Sequence, residues 1–176
     1  MEQRITQQNI NELMYKDQPL CADKDLKTSK GRILAISVSK RKGTPKSNVD
    51  SVRLIEDYGI ENDAHAGKWH RQVSFLAIES IQRMRDKGLP KLRPGAFAEN
   101  LTTEFIDLPH LKIGSVVKIG SEAELEITQI GKECHAKCAI FYKVGDCVMP
   151  SDGIFGIVIK GGIICKDDEV IVIEPR

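Results

Sequence analysis

The chain has 176 residues, enough for one well-buried core and too few for two ordinary domains to be expected. Its 41% hydrophobic and 29% charged residues describe a globular protein, and 26 Lys+Arg against 25 Asp+Glu leave a net charge of +1, which argues against the basic footprint of a nucleic-acid binder. No apolar run approaches the roughly 20 residues of a membrane helix, so no membrane association is expected.

Residues 1–30 read as an N-terminal extension, helical or loosely ordered. The opening MEQRITQQNINELMYKDQPL lacks a continuous apolar run and resembles neither a secretory signal nor an Arg/Ser-rich presequence. A cytoplasmic location is expected on that basis. Five cysteines, an odd number, then suggest reduced thiols.

The folded module is expected over residues 31–176. It opens with GRILAISVS, a short apolar run bounded by Gly31 and by the turn KRKGTPK, as a buried strand would be. Ser51-Val52-Arg53-Leu54 alternates polar and apolar, the pattern of a half-buried strand. A helix is predicted from about Ser74 to Lys87, with Ile78, Ile81 and Met84 at helical spacing, Ser74 as cap and Gly88 with Pro90 as terminator. After Pro94-Gly95 the chain turns β-rich. Val116 to Ile119, Leu125 to Ile130, Ile154 to Ile159 and Val170 to Ile173 are short runs separated by turn signals, which favours a barrel or a curled sheet.

Three constellations carry possible chemistry. The sharpest is Gly131-Lys132-Glu133-Cys134-His135-Ala136-Lys137-Cys138, directly after a predicted strand. Positive neighbours such as Lys132 and Lys137 raise the thiolate fraction of a cysteine, which nucleophilic sulfur chemistry and soft-metal ligation both require. The same residues also suit burial as small hydrophobes, or a structural zinc with Cys147, although the paired-cysteine spacing of zinc knuckles is absent. The second is the loop Gly59-Ile60-Glu61-Asn62-Asp63-Ala64-His65 with His70-Arg71-Gln72. It leads into the predicted helix, whose N-terminal amides would complete an anion cradle. Arg71 offers a planar fork for a phosphate, and His65 or His70 could donate hydrogen bonds or move protons. The third is Arg93-Pro94-Gly95-Ala96-Phe97-Ala98-Glu99-Asn100-Leu101, either an ordinary surface turn or one in which a carboxylate and an amide offer both kinds of partner to a heterocycle.

In this order the pieces GRILAISVS, GIENDAHAGKWHRQVSFL, GAFAENLTT, LKIGSVVKIG, the cysteine segment and GGIICKDDEVIVI resemble the MOSC family, named for the C-terminal domain of molybdenum-cofactor sulfurases. The resemblance spans roughly residues 31 to 173. It implies a mainly β (α+β) fold, a closed MOSC-type β-barrel with a few short helices. It also implies binding or handling of the molybdenum cofactor (molybdopterin), or a sulfur-carrier role, through one cysteine of the segment. In relatives that reduce N-hydroxylated compounds that cysteine ligates molybdenum, and its surroundings resemble Lys137-Cys138-Ala139-Ile140, which places Cys138 first. Other relatives carry a Pro-Cys pair, which Glu133-Cys134 resembles more, so Cys134 stays open as the alternative.

The loop around Asp63 to Arg71 and the turn at Glu99-Asn100 are expected at one mouth of such a barrel beside the cysteine segment, where Arg71 would hold the cofactor's terminal phosphate and Glu99 and Asn100 its pterin, with Asp63, His65 and Lys132 completing the binding set. The resemblance extends to neither the N-terminal β-barrel domain of the reductases nor the aminotransferase-like domain of the sulfurases, through which the family is associated with pyridoxal phosphate, so a stand-alone module is expected. A partner is therefore expected, either a molybdenum-cofactor biosynthesis protein or molybdoenzyme, or a cysteine desulfurase. Whether the chain is itself an enzyme, as a molybdenum-dependent oxidoreductase or a sulfur transferase, stays open at this point.

Overall fold

A computed structural model describes residues 28–132 and 138–175. The strands are β1 (Thr28–Val38), β2 (Ser47–Val49), β3 (Ser51–Ile55), β4 (Gly59–Ile60), β5 (Val73–Ala77), β6 (Leu101–Glu104), β7 (Val116–Ile119), β8 (Ala123–Ile130), β9 (Ile154–Lys160), β10 (Gly162–Cys165) and β11 (Glu169–Ile173). The helices are α1 (Ile78–Asp86), α2 (Ala139–Val144) and α3 (Met149–Asp152), with a 3-10 turn at Leu108–His110. None of the described helices is long and apolar enough to cross a membrane.

Seven strands close a barrel in the order β1, β11, β7, β8, β9, β5, β6 and back to β1. β2 adds to β1, while β10, β3 and β4 form a separate small sheet. Neighbours in the barrel run antiparallel except β5 and β6, which are parallel. Closure depends on the length of β1, whose first residues pair with β11 (Thr28↔Ile173 to Arg32↔Glu169) and whose later ones pair with β6 (Ile33↔Thr103 to Ile36↔Leu101). The apolar run of GRILAISVS is long because one strand serves both edges. A bulge between Ile33 and Ala35 shifts the alternation, so that Ile33 and Ile36, three positions apart, both face the core.

Elsewhere simple alternation fills the barrel. Val73, Phe75 and Ala77 of β5, Val117 and Ile119 of β7, Leu125 and Ile127 of β8 and Val170 and Val172 of β11 all belong to the main core. A second cluster lies on the outside of the β5–β9 wall, where Leu76 and Phe155 meet Ile81 and Met84 of α1, Phe97, Val148 and Met149. Ile140 and Val144 of α2 pack against it.

The helix predicted from Ser74 begins later. Residues Val73–Ala77 form a strand in which every side chain is buried, the inward ones in the barrel and Leu76 under α1, so no alternation survives in the sequence to announce it. Ser74 does not cap a helix; its hydroxyl donates to Asn100 Oδ1 at 2.9 Å. α1 starts at Ile78 after Ala77, with no side-chain cap, and buries Ile81 and Met84 as the spacing predicted. The loop before β5 therefore ends in a strand, and the five residues of β5 separate the loop's end from the N-terminal amides of α1.

Gly31 sits where β1 passes from one partner to the other, and a Cβ there would lie 2.2 Å from the Glu104 carbonyl oxygen and 2.5 Å from Ile106. Gly31→Ala should force this seam apart and lower the free energy of unfolding by about 1–3 kcal/mol, read from urea denaturation. Unchanged stability would mean that the seam yields without strain.

Candidate anion and thiol site

The loop between β4 and β5 is held from within by Asp63. This buried carboxylate accepts hydrogen bonds from the Ser39 N–H at 2.9 Å, from Lys46 Nζ at 2.7 Å and from the His65 N–H at 3.0 Å. The side chains of Lys46 and Asp63 are each 1% exposed. Burial alone would raise the Asp63 pKa, but the His65 ring, the Lys46 ammonium and the two backbone donors outweigh it and hold the carboxyl well below the usual range. His65 Nδ1 lies 3.4 Å from Asp63 Oδ1, within ion-pair range but without a hydrogen bond. Since Ala64 N–H also donates to the Ser39 carbonyl, the loop is pinned to the end of β1.

The Gly95 to Asn100 turn is pinned just as firmly. Glu99 is fully buried, and its two oxygens accept from the N–H groups of Gly95 and Phe97 and from the Thr102 hydroxyl. Burial nevertheless outweighs these donors and leaves its pKa raised. Asn100 Oδ1 accepts from both the Ser74 N–H and hydroxyl, and Nδ2 donates to the Ser37 carbonyl. At 0% and 2% exposure neither side chain reaches the surface, and the atoms expected to read a heterocycle are engaged inside the fold. Both brace the turn that feeds β6.

The exposed side of the loop meets the wall that leads to the cysteine segment. Ser74 of β5, Phe155 of β9 and Gln129 of β8 form one row across the sheet. His70 Nε2 pairs with Gln129 Oε1 at 3.1 Å, and Gln129 Nε2 donates to the Gly131 carbonyl at 2.7 Å. The Arg71 guanidinium carbon lies 4.9 Å from the Trp69 ring centre and 5.9 Å from that of Phe155. Arg71 Nε is buried without a hydrogen-bond partner. Gly131 N–H donates to the Gly153 carbonyl and Lys132 N–H to the Met149 carbonyl, so the departing chain is tied to α3. Cys138 returns as the exposed residue before α2, a helix closed by Gly145 in the left-handed region (φ 72°). Cys134 lies outside the described residues.

Arg71 thus lies against Phe155 and His70 bonds Gln129 of β8, while Lys132 is tied to α3 and Cys138 precedes α2, whose Ile140 and Val144 pack on the cluster that includes Phe155. Asp63 pins the loop from within, and Glu99 and Asn100 are buried in the turn before β6. Lys46, Ser39 and Trp69 were not singled out from the sequence. A lysine in a Gly/Pro turn carries no mark of burial, whereas a tryptophan two residues before Arg71 in a histidine-containing loop was a usable signal. Among the described residues no group of three His, Cys, Asp or Glu side chains is placed to hold a metal ion. A cavity of about 660 Å³ opens elsewhere, between α1, residues 105–110 and Asp152. Its polar groups satisfy one another, Ser80 and Arg83 bonding Asp152 and His110 bonding Asp107, and none of the candidate residues lines it.

The family model described as MOSC domain matches residues 62–171, more than half of the chain. Among solved structures, the YuaD protein of Bacillus subtilis is similar with a TM-score of 0.73 at 21% identity, covering 86% of this chain and 100% of that one. YiiM of Geobacillus stearothermophilus gives 0.62 at 18% identity over 82% of this chain and 75% of its own. YiiM of Escherichia coli gives 0.59 at 18% identity over 82% and 71%. At such identities the likeness shows the fold. No curated protein matches the chain.

Because the fold depresses the Asp63 pKa, it favours the ionised form; the resulting stability is complete above the unfolded value of about 3.9 and is lost as pH falls through the folded value. The acid limb of the stability–pH curve should therefore be shallower in Asp63→Asn than in the wild type, and an unchanged limb would remove Asp63 from the acid response. At neutral pH, Lys46→Met strands the buried carboxylate and should cost about 3–5 kcal/mol in urea denaturation.

Proposed function

The chain belongs to the MOSC domain family, and from that premise we propose that it binds or handles the molybdenum cofactor on the outer wall of its barrel, with a cysteine of the 134–138 segment as its sulfur. The observation that carries this reading is Arg71. It makes no ion pair among the described residues, its Nε is buried without a partner, and it rests on Trp69 and on Phe155, whose cluster also packs Ile140 and Val144 of the helix that Cys138 precedes. An unneutralised guanidinium with spare donors fits a phosphate, and an exposed thiol fits a soft metal. When bound, the cofactor would supply a redox-active metal.

In this reading Arg71 grips the terminal phosphate, Lys132 adds positive charge beside it, and Cys138 meets the metal, with Cys134 as its alternative. His65 supplies a hydrogen bond or a proton at the cradle, and Asp63 holds it in place. Glu99 and Asn100 act indirectly, by fixing the turn under Phe97 and the start of β5. A molybdoenzyme or a protein of cofactor biosynthesis is the partner such a module would serve.

The exposed position of Cys138 also favours a second reading, a sulfur carrier. Its thiolate would attack the outer sulfur of a persulfide on a cysteine desulfurase, take that sulfur and release the donor thiolate.

The test is to purify the full chain and its Cys138→Ser variant from a host that makes the cofactor, and to measure molybdenum and released pterin per protein. Both should be present in the wild type and fall by about tenfold or more in the variant, since even residues outside the ligand shell cost that much in other metal sites. A variant that keeps the full load would exclude Cys138 as ligand and promote Cys134. Absence of molybdenum and pterin from both would overturn the cofactor reading, and incubation with a loaded desulfurase, followed by mass spectrometry for one added sulfur on Cys138, would then decide the carrier reading.

A further inference from the structure

Trp69 is the only tryptophan of the chain, and at 36% exposure it owes its place to more than burial. Its indole N–H donates to the His65 carbonyl at 2.8 Å, which ties the ring to the residue following the Asp63 anchor by two positions. It meets the His70 ring in a T-shaped arrangement, with ring centres 6.0 Å apart at 68°. The Arg71 guanidinium carbon lies 4.9 Å from its centre.

An aromatic face and a carboxylate hold an arginine in opposite ways. A carboxylate takes the in-plane N–H groups and neutralises the charge. A ring takes the flat face and leaves both the charge and the edge donors for something else. Arg71 has ring partners, no ion pair among the described residues, and an edge Nε that is buried and unbonded. A cation so arranged has lost its rotational freedom before any ligand arrives, which lowers the cost of binding one.

We propose that Trp69 is the positioning residue of this cradle: it lays the Arg71 guanidinium flat so that its edge donors meet a phosphate-type dianion. The proposal rests on the phosphate reading of Arg71. It adds that recognition depends on the plane of the guanidinium as well as its charge, and that Trp69 sets the plane.

The test titrates the full chain with inorganic pyrophosphate as probe, following Trp69 emission in the wild type and heat by calorimetry in every variant. Wild type should bind with a change in Trp69 emission. Trp69→Leu should bind about three- to tenfold more weakly, as expected for loss of one cation–π contact, while Trp69→Phe keeps most of the affinity. Arg71→Lys retains the charge but not the planar fork, and should fall at least as far as Trp69→Leu. Thermal unfolding of each variant without ligand separates positioning from a purely structural role, which would move Tm and leave the dissociation constant alone. Wild-type affinity in Trp69→Leu would overturn the positioning role and spare the phosphate reading. Failure of the wild type to bind pyrophosphate at millimolar concentration would overturn both.

Discussion

The hydrogen bonds of Asn100 hold together the one joint on which the site depends. In an antiparallel barrel successive connections alternate between the two ends, but the parallel pairing of β5 with β6 brings two incoming segments side by side. Asn100 stands at the head of β6 and bonds Ser74 of β5 through its own N–H and its side-chain oxygen, and Ser37 of β1 through Nδ2 and its carbonyl. Three strands are thereby locked in register by the main chain and side chain of one residue. Each group in such a network is buried, so losing any one leaves others unpaired at a cost beyond the single bond. The loop that ends in Arg71 leaves this joint with little freedom.

Two cations of that region receive opposite treatment. Lys46 is buried against Asp63 and spends its charge on anchoring the loop. Arg71 is set on Trp69 and Phe155, without an ion pair among the described residues. The first pair is costly to desolvate and serves to fix one arrangement of the loop; the second leaves an available charge on the surface so fixed. Rigidity on one side of the loop and an unpaired guanidinium on the other, among the described residues, are the two features on which the proposed anion site rests.

Most of the barrel was legible in the sequence because inward and outward residues alternate. β7 runs over Val116–Ile119 as read, β8, β9 and β11 differ only at their ends, and β1 extends to Thr28. β5 was hidden for a physical reason: buried on both faces, VSFLA has no period of its own and merged with the helical spacing that follows it. Of the candidate site, the sequence offers segments, whereas the contacts of each side chain are seen only in the fold. Glu99 and Asn100 looked like ligand-facing groups because sequence records polarity and not burial. The importance of Trp69 depended on its distance to Arg71, which spacing in a loop does not fix.

The seam between β1 and β11 has a consequence for how the barrel comes into being. Thr28 and Ile173, near the two ends of the described chain, are ladder partners, so the closing contact has one of the largest sequence separations the fold contains. Contacts of this kind repay their loop-closure entropy late, and folds dominated by them are slow. Until β11 is made, the first half of β1 is an open strand edge, able to pair with any other extended chain. The second cluster, by contrast, draws on residues between Leu76 and Phe155, away from that seam. The cluster whose Phe155 lies against Arg71 can thus consolidate while the barrel is still an open sheet, leaving closure as the step most exposed to wrong strand pairing.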